Sequence, residues 1–355
     1  MQGIDLSRRF YSEIVAPCLA TIAPDMRYSA ALIGYGSELL GFDDETSRDH
    51  NWGPRVHIHL SEADFALHAK PLLAAFNQVL PETFAGEPIG WRSSPHPPAN
   101  GPHSAGAMEH GLEFHTLEGR LIETIGRPSL DGLTLRDWLG FPEQKLLAFT
   151  SGAVFRDDDN RLGMLRKKLA YFPDDIWFYR IACRWGRIAE ERAFVGRAGE
   201  VGDDLGSRLV AARLVREIMA LGFLIERRYA PYAKWFGSGF ARLPIAEALL
   251  PHLQRTLAAD HWQARGEALA DAYLVLVAAQ KSRDIAPFEG RIGPYFTRPF
   301  ITINADDAVE AARQSIRSPE IASLPILGAI DQVSDLTPLL VDAKRAGRTM
   351  TALLS

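Results

Sequence analysis

Cysteine is nearly absent: Cys18 and Cys183 are the two in 355 residues. They stand far apart, each in an apolar, helix-like setting with no motif around it. That points away from a disulfide framework and toward reduced, buried thiols in a cytoplasmic protein. Long apolar runs are absent too. No stretch approaches the ~20 uninterrupted apolar residues of a membrane span, so no membrane partner is expected. Arg8-Arg9 has no apolar core behind it, so no secretory signal is expected. Strong charge of one sign is also missing. With a net charge of −5 and no long basic run, non-specific nucleic-acid binding is not favoured. There is no internal repeat and no low-complexity tract.

What the chain does have is length enough for two domains and an ordinary apolar content. Residues 3–24 carry helical spacing at Phe10, Ile14, Val15, Leu19 and Ile22, with Pro17 marking either a kink or a break into two helices. Ser29–Ile33 leads into a glycine turn. Val56–Leu60 alternates like a strand, and Ser61 caps a helix running to Leu80 with Glu62 and Asp64 in its first turn. Residues 83–110 hold five prolines, several glycines and three histidines, and read as a lid, a binding loop or an insert. Leu112–Leu117 is a strand candidate and Thr134–Gly140 a capped short helix. From about Gln144 the character changes to continuous helix: Leu162–Leu169, Asp174–Ile188, Leu205–Glu226, Ile245–Thr256 with a break at Pro251, and Gly266–Gln280. Leu205, Leu209, Leu214, Ile218 and Ile225 form the stripe of the longest. Arg298–Ile303 reads as a late strand. The domain boundary is therefore expected near residue 145, giving segments 1–144 and 145–355.

The chemistry gathers between residues 34 and 60. Gly34, Gly36 and Ser37 follow the apolar run Ala30–Ile33. Small residues in a turn let backbone N–H groups approach a phosphate. Twelve residues after Ser37 comes Asp49, with Asn51 two further on. Side chains at i and i+2 of an extended segment share a face, so Asp49 and Asn51 can share one metal ion beside that phosphate. A glycine-serine pair, a spacer of about a dozen residues and an acidic pair on a strand is the layout of a nucleotidyltransferase site.

The phrases Gly34-Tyr35-Gly36-Ser37-Glu38, Ser47-Arg48-Asp49-His50, Trp52-Gly53-Pro54-Arg55 and Arg228-Tyr229-Ala230-Pro231-Tyr232-Ala233-Lys234-Trp235 resemble the domain of unknown function 4037 family. Ile326-Leu327-Gly328-Ala329-Ile330-Asp331-Gln332 resembles its closing segment. The family's kinship to kanamycin-nucleotidyltransferase-like enzymes implies an α+β fold: a nucleotidyltransferase-like mixed sheet with helices, followed by a C-terminal helical bundle. It implies transfer of a nucleotidyl group, AMP in the first instance, from ATP or another nucleoside triphosphate to a hydroxyl of a small molecule or protein, with Mg2+. In that kinship a lysine of the helical domain faces the triphosphate, and Lys234 resembles it; the alternative is a lysine snorkelling over packed rings.

Residue by residue, Gly36 and Ser37 are candidates for the phosphates, or an ordinary tight turn. Asp49 is the candidate metal ligand and catalytic residue, or an Asp in a surface turn with Ser47 and Arg48. Asn51 stands where a second carboxylate belongs; its amide oxygen can ligate metal but brings no charge. Glu113, flanked by Leu112 and Phe114, is the candidate third metal ligand or general base, or a half-buried strand residue. Asp43, Asp44 and Glu45 either stand in for a missing ligand or face water. His57 and His59 share a strand face, and with His50 they suggest a transition-metal site or hydrogen-bonding roles. Trp52 and Arg55 are expected to position the motif. Arg208, Arg213 and Arg216 either add a positive wall or face water. The other class of function is a nucleotide-binding regulatory or toxin–antitoxin module without turnover, which Asn51 favours.

Overall fold

The computed structural model describes residues 2–48, 52–89 and 110–355. The chain divides into two compact units, the first made of Met1–Asp131 and Lys145–Ala170, the second of Gly132–Gln144 and Tyr171–Ser355. The reason the first unit reaches past residue 145 is a strand, Ala153–Asp157, that the helical reading of this region did not anticipate. Four of its five residues pair with a strand near the N-terminus, across a bulge at Phe155.

The first unit opens with α1 (Gly3–Phe10) and α2 (Ala16–Ile22), joined through a π-helical stretch, Tyr11–Val15. Pro17, with no N–H to give the helix ladder, follows that wider turn. Then come β1 (Ser29–Leu32), β2 (Val56–Leu60), α3 (Glu62–Val79), the short ladder β3 (Thr83–Phe84) and β4 (Glu87–Pro88), β5 (Leu112–Thr116) and α4 (Leu117–Ile125). Helix α5 (Glu143–Thr150) precedes β6 (Ala153–Asp157) and α6 (Arg161–Lys168). Ser61 caps α3 as the sequence predicts, its hydroxyl accepting the Asp64 N–H at 3.1 Å.

The sheet order is β5-β2-β1-β6. β1 runs antiparallel to both β2 and β6, and β2 parallel to β5, so the sheet is mixed. All five residues of β2 are buried, and alternation assigns them to two faces. Val56, Ile58 and Leu60 join Ala30, Leu112 and the helix residues Leu6, Phe10, Val15, Leu72 and Phe76 in one apolar core. His57 and His59 occupy the other face.

The second unit contains α7 (Asp174–Glu191), α8 (Phe194–Glu200), α9 (Asp204–Ile225), α10 (Ala233–Phe240), α11 (Ala246–Ala258), α12 (Trp262–Ser282), the hairpin β7 (Ile292–Tyr295) and β8 (Arg298–Ile303), and α13 (Ala305–Gln314). Four more helices end the chain: α14 (Pro319–Ala322), α15 (Ile330–Val333), α16 (Thr337–Leu340) and α17 (Ala343–Leu353). The class is α+β, with a mixed sheet and a helical C-terminal region, as expected. Two helical expectations need correction. Pro251 lies inside α11 without ending it. The expected α9 stripe is not one face: nine residues, two and a half turns, separate Leu205 from Leu214, so Leu205 and Leu209 lie on the opposite side and are 69% and 61% exposed while Leu214, Ile218 and Ile225 are buried.

Candidate active site

The glycine turn forms where the sequence places it. Gly34 and Gly36 adopt φ of +100° and +114°, which only glycine takes without strain. The Gly34 N–H is bound by the Ala148 carbonyl at 2.9 Å. Ser37 opens a 3-10 turn, Ser37–Leu40, and its buried hydroxyl donates to the Ser47 carbonyl at 3.3 Å. That contact ties the turn to the chain two residues before Asp49. Asp49, His50 and Asn51 themselves lie outside the described residues.

Gly36 has a second reason to be glycine. Glu38 and Arg55 form an ion pair with both side chains 1% exposed. A Cβ at Gly36 would lie closer than 3.0 Å to both of them. Arg55 also donates to the Tyr35 carbonyl at 2.8 Å, and its guanidinium lies 4.4 Å from the centre of the Tyr35 ring. An unpaired charge in this position would be costly, so the pair fixes the turn. The spacer acids are employed in the same way. Asp43 accepts the Gly3 N–H at 2.7 Å and the Trp52 indole N–H at 3.3 Å. Asp44 accepts the Ser47 N–H at 2.8 Å. Both therefore shape the loop, and Glu45 is exposed.

Glu113 reaches this turn through strand pairing. The parallel register sets His57 opposite Glu113 and His59 opposite His115. Alternation puts these four on the face away from the apolar core. The Tyr35 hydroxyl, from the glycine turn, donates to Glu113 Oε1. His115 Nε2 is 2.8 Å from Glu113 Oε2, and His57 Nε2 is 3.8 Å from Oε1. Arg120, on α4, lies beneath: its Nη2 is 3.5 Å from His57 Nδ1 and its Nη1 donates to Glu123 at 2.8 Å. A guanidinium only donates, so His57 Nδ1 is the acceptor and the ring proton sits on Nε2, toward Glu113.

The electrostatics follow from burial and these contacts. Burial pushes His57 and His59 well below the usual imidazole range, so both are neutral near pH 7. Burial by itself would raise the Glu113 carboxyl. His57, then the hydrogen bonds from His115 and Tyr35, hold it instead well below the usual carboxylate range. Burial, helped by Glu113, pushes the Tyr35 hydroxyl up to about 12. The layer thus contains one fixed carboxylate, a phenol that donates to it, and two neutral imidazoles, His57 and His59. His57 Nε2 and both ring nitrogens of His59 are buried without a hydrogen-bond partner. Among the described residues no group of three His, Cys, Asp or Glu could hold a metal ion, so the transition-metal expectation for His57 and His59 finds no support there. For Mg2+, which prefers oxygen ligands, the described face supplies one carboxylate. The other two donors expected from sequence, Asp49 and Asn51, fall outside the described residues.

Lys234 belongs to the second unit. It is exposed at the start of α10, its Nζ 4.8 Å from the centre of the Trp235 ring. The arginines of α9 are engaged within that unit: Arg208 with Asp204 at 2.7 Å, Arg213 with Glu191 at 3.0 Å, and Arg216 over the Phe236 ring at 5.3 Å.

Three residues of the sheet face escaped the sequence reading: Tyr35, His115 and Arg120. Alternation from Glu113 was a signal for His115. Nothing local marks Arg120, whose place depends on how α4 follows β5.

Residues 138–236 match the family model described as Domain of unknown function (DUF4037). The resemblance read from the sequence holds over that stretch, which includes the Arg228–Trp235 phrase. No curated protein matches the chain. A solved structure, described as a nucleotidyltransferase-like protein from Exiguobacterium sibiricum, aligns over 82% of each chain at 10% identity with a TM-score of 0.31, a likeness too slight to carry an inference.

Proposed function

We propose that this chain is a nucleotidyltransferase that moves a nucleotidyl group, AMP in the first instance, from a nucleoside triphosphate to a hydroxyl of a small molecule or protein. The observation that carries the reading is the hydrogen bond between Tyr35 and Glu113, 78 residues apart. It unites the glycine-serine turn and the acidic strand residue, the two parts of the motif that can be described. In this reading the Gly36–Ser37 turn meets phosphate oxygens with backbone N–H groups. The acceptor oxygen bonds to the α-phosphorus, the bond to pyrophosphate breaks, and the acceptor's proton passes to a nearby base. Glu113 would serve as that base or as a metal ligand. Mg2+ would be held by Asp49, with Asn51 and Glu113 as further donors, and would supply charge neutralisation at the phosphates. Lys234 is retained as a candidate phosphate contact from the helical unit.

The test is release of pyrophosphate from ATP with Mg2+ over a panel of hydroxyl acceptors. The wild type turns over. Glu113→Gln, compared under conditions where the variant remains folded and saturated with ATP, loses about 10²- to 10⁴-fold in rate. Unchanged turnover in Glu113→Gln would remove this face from the reaction.

A second reading is nucleotide binding without turnover, as a regulatory or toxin–antitoxin module. Two observations favour it: Asn51 replaces a carboxylate, and β2 presents His57 and His59, not acids, beside Glu113. ATP binding with no pyrophosphate released, and turnover appearing in Asn51→Asp, would select this reading.

A further inference from the structure

A separate charged cluster lies in the second unit, around the segment from Pro325 to Val333. The Tyr179 hydroxyl donates to the Pro325 carbonyl at 2.7 Å and accepts the Gly328 N–H at 3.3 Å. Gln332 donates to the Arg180 carbonyl at 3.0 Å. Both Asp331 carboxylate oxygens accept the Glu143 N–H, at 3.2 and 3.1 Å. Arg180, with a fully buried side chain, donates to Glu143 Oε1 and lies 3.9 Å from Asp331 Oδ2. The second Glu143 oxygen accepts the Ala230 N–H at 2.8 Å. Arg184 donates to Glu217 at 2.8 Å and to the Asp331 carbonyl at 3.4 Å.

The charges do not balance. Glu143, Asp331 and Glu217 face Arg180 and Arg184, so one carboxylate is unmatched. Two further arginines lie nearby and are engaged elsewhere: Arg213, which also acts on Glu217, is ion-paired with Glu191, and Arg227, over the Tyr171 ring, is ion-paired with Asp174. Burial pushes the hydroxyls of Tyr171 and Tyr229 upward and holds the Cys183 thiol at about 12, so all three are neutral. Helix α17, packed against α15, buries Ala343, Ala346 and Met350 and keeps Lys344, Arg345 and Arg348 exposed. Two carboxylates around one buried guanidinium are most stable sharing a proton. We propose that Glu143, Arg180 and Asp331 form a proton-operated latch on residues 325–333, closed while the triad holds one proton and loosened when that proton leaves.

Burial, then the neighbouring Glu143 carboxylate, pushes the Asp331 carboxyl up from 3.8 to about 7. A carboxyl raised in the closed state favours closure at low pH, and the benefit disappears as pH rises through about 7. The test is amide hydrogen exchange of the 325–333 segment in the full-length protein between pH 6 and 8, corrected for intrinsic exchange. Protection should fall about tenfold in the wild type, the linkage expected for a group of that pKa. Asp331→Asn should be insensitive to pH over this range. Glu143→Gln, which removes the competing carboxylate but keeps Asp331, should move the midpoint down by about a unit or more. A flat wild-type profile, an Asp331→Asn profile as steep as wild type, or an unmoved midpoint in Glu143→Gln would each overturn the latch.

Discussion

His57 and His59 carry the clearest energetic signature of the sheet face. Neither is solvated, and His59 has no hydrogen-bond partner at either ring nitrogen. Their folded-state pKa lies well below the usual 6.5. A depressed imidazole contributes stability that is fully present above 6.5 and is lost as pH falls below it, because the unfolded chain takes up protons the folded one refuses. Two such groups should cost the first unit about 2–3 kcal/mol between pH 7.5 and 5.5. Exchange protection of β2 and β5 amides reads this unit directly, and the double variant His57→Gln/His59→Gln should lose most of the slope. Glu113 contributes in the same direction only at lower pH, below its ordinary 4.5. The Asp331 slope is opposite in sign and belongs to the other unit.

At the scale of elements, α9 shows how a stripe can mislead. Leu205 and Leu209 are four apart, as are Leu214 and Ile218, but the nine residues from Leu205 to Leu214 turn the two pairs to opposite sides of the helix, and only the later pair is buried. Leu205→Lys and Leu209→Lys should change stability by no more than about 0.5 kcal/mol. Leu214→Ala should cost about 2–5 kcal/mol. Urea unfolding of the three variants decides it, and a large loss in Leu205→Lys would mean that this leucine is covered. Spacing of three or four marks a shared face only while the phase is kept along the helix. A different limit explains β6: Ala153–Asp157 is a strand because β1 offers an edge, information held over 120 residues upstream. What was legible was local. The alternation of β2, the Ser61 cap and the glycine turn rest on residues next to one another. The pairing of Tyr35 with Glu113 needed the parallel register of β2 and β5, which no spacing displays. Gly36 was read as room for phosphate, and the structure adds that it makes room for the Glu38–Arg55 pair.

At the scale of the molecule, two units are built from interleaved segments of one chain. Among the described residues no helix is long and apolar enough to cross a membrane. The functional proposal depends on the first unit alone for its describable chemistry, since the turn, Glu113 and the histidine layer all belong to it. It also asks something of that unit that does not depend on knowing the acceptor: it must bind a nucleoside triphosphate. Calorimetric titration of ATP, with and without Mg2+, is therefore the most direct measurement. The account predicts saturable one-to-one binding, with a Kd below about 1 mM (an affinity of about 4 kcal/mol or better), strengthened by Mg2+ and weakened by Gly36→Val under conditions where that variant remains folded. No saturable heat with ATP or any other nucleoside triphosphate, in the folded wild-type protein with Mg2+ present, would contradict it.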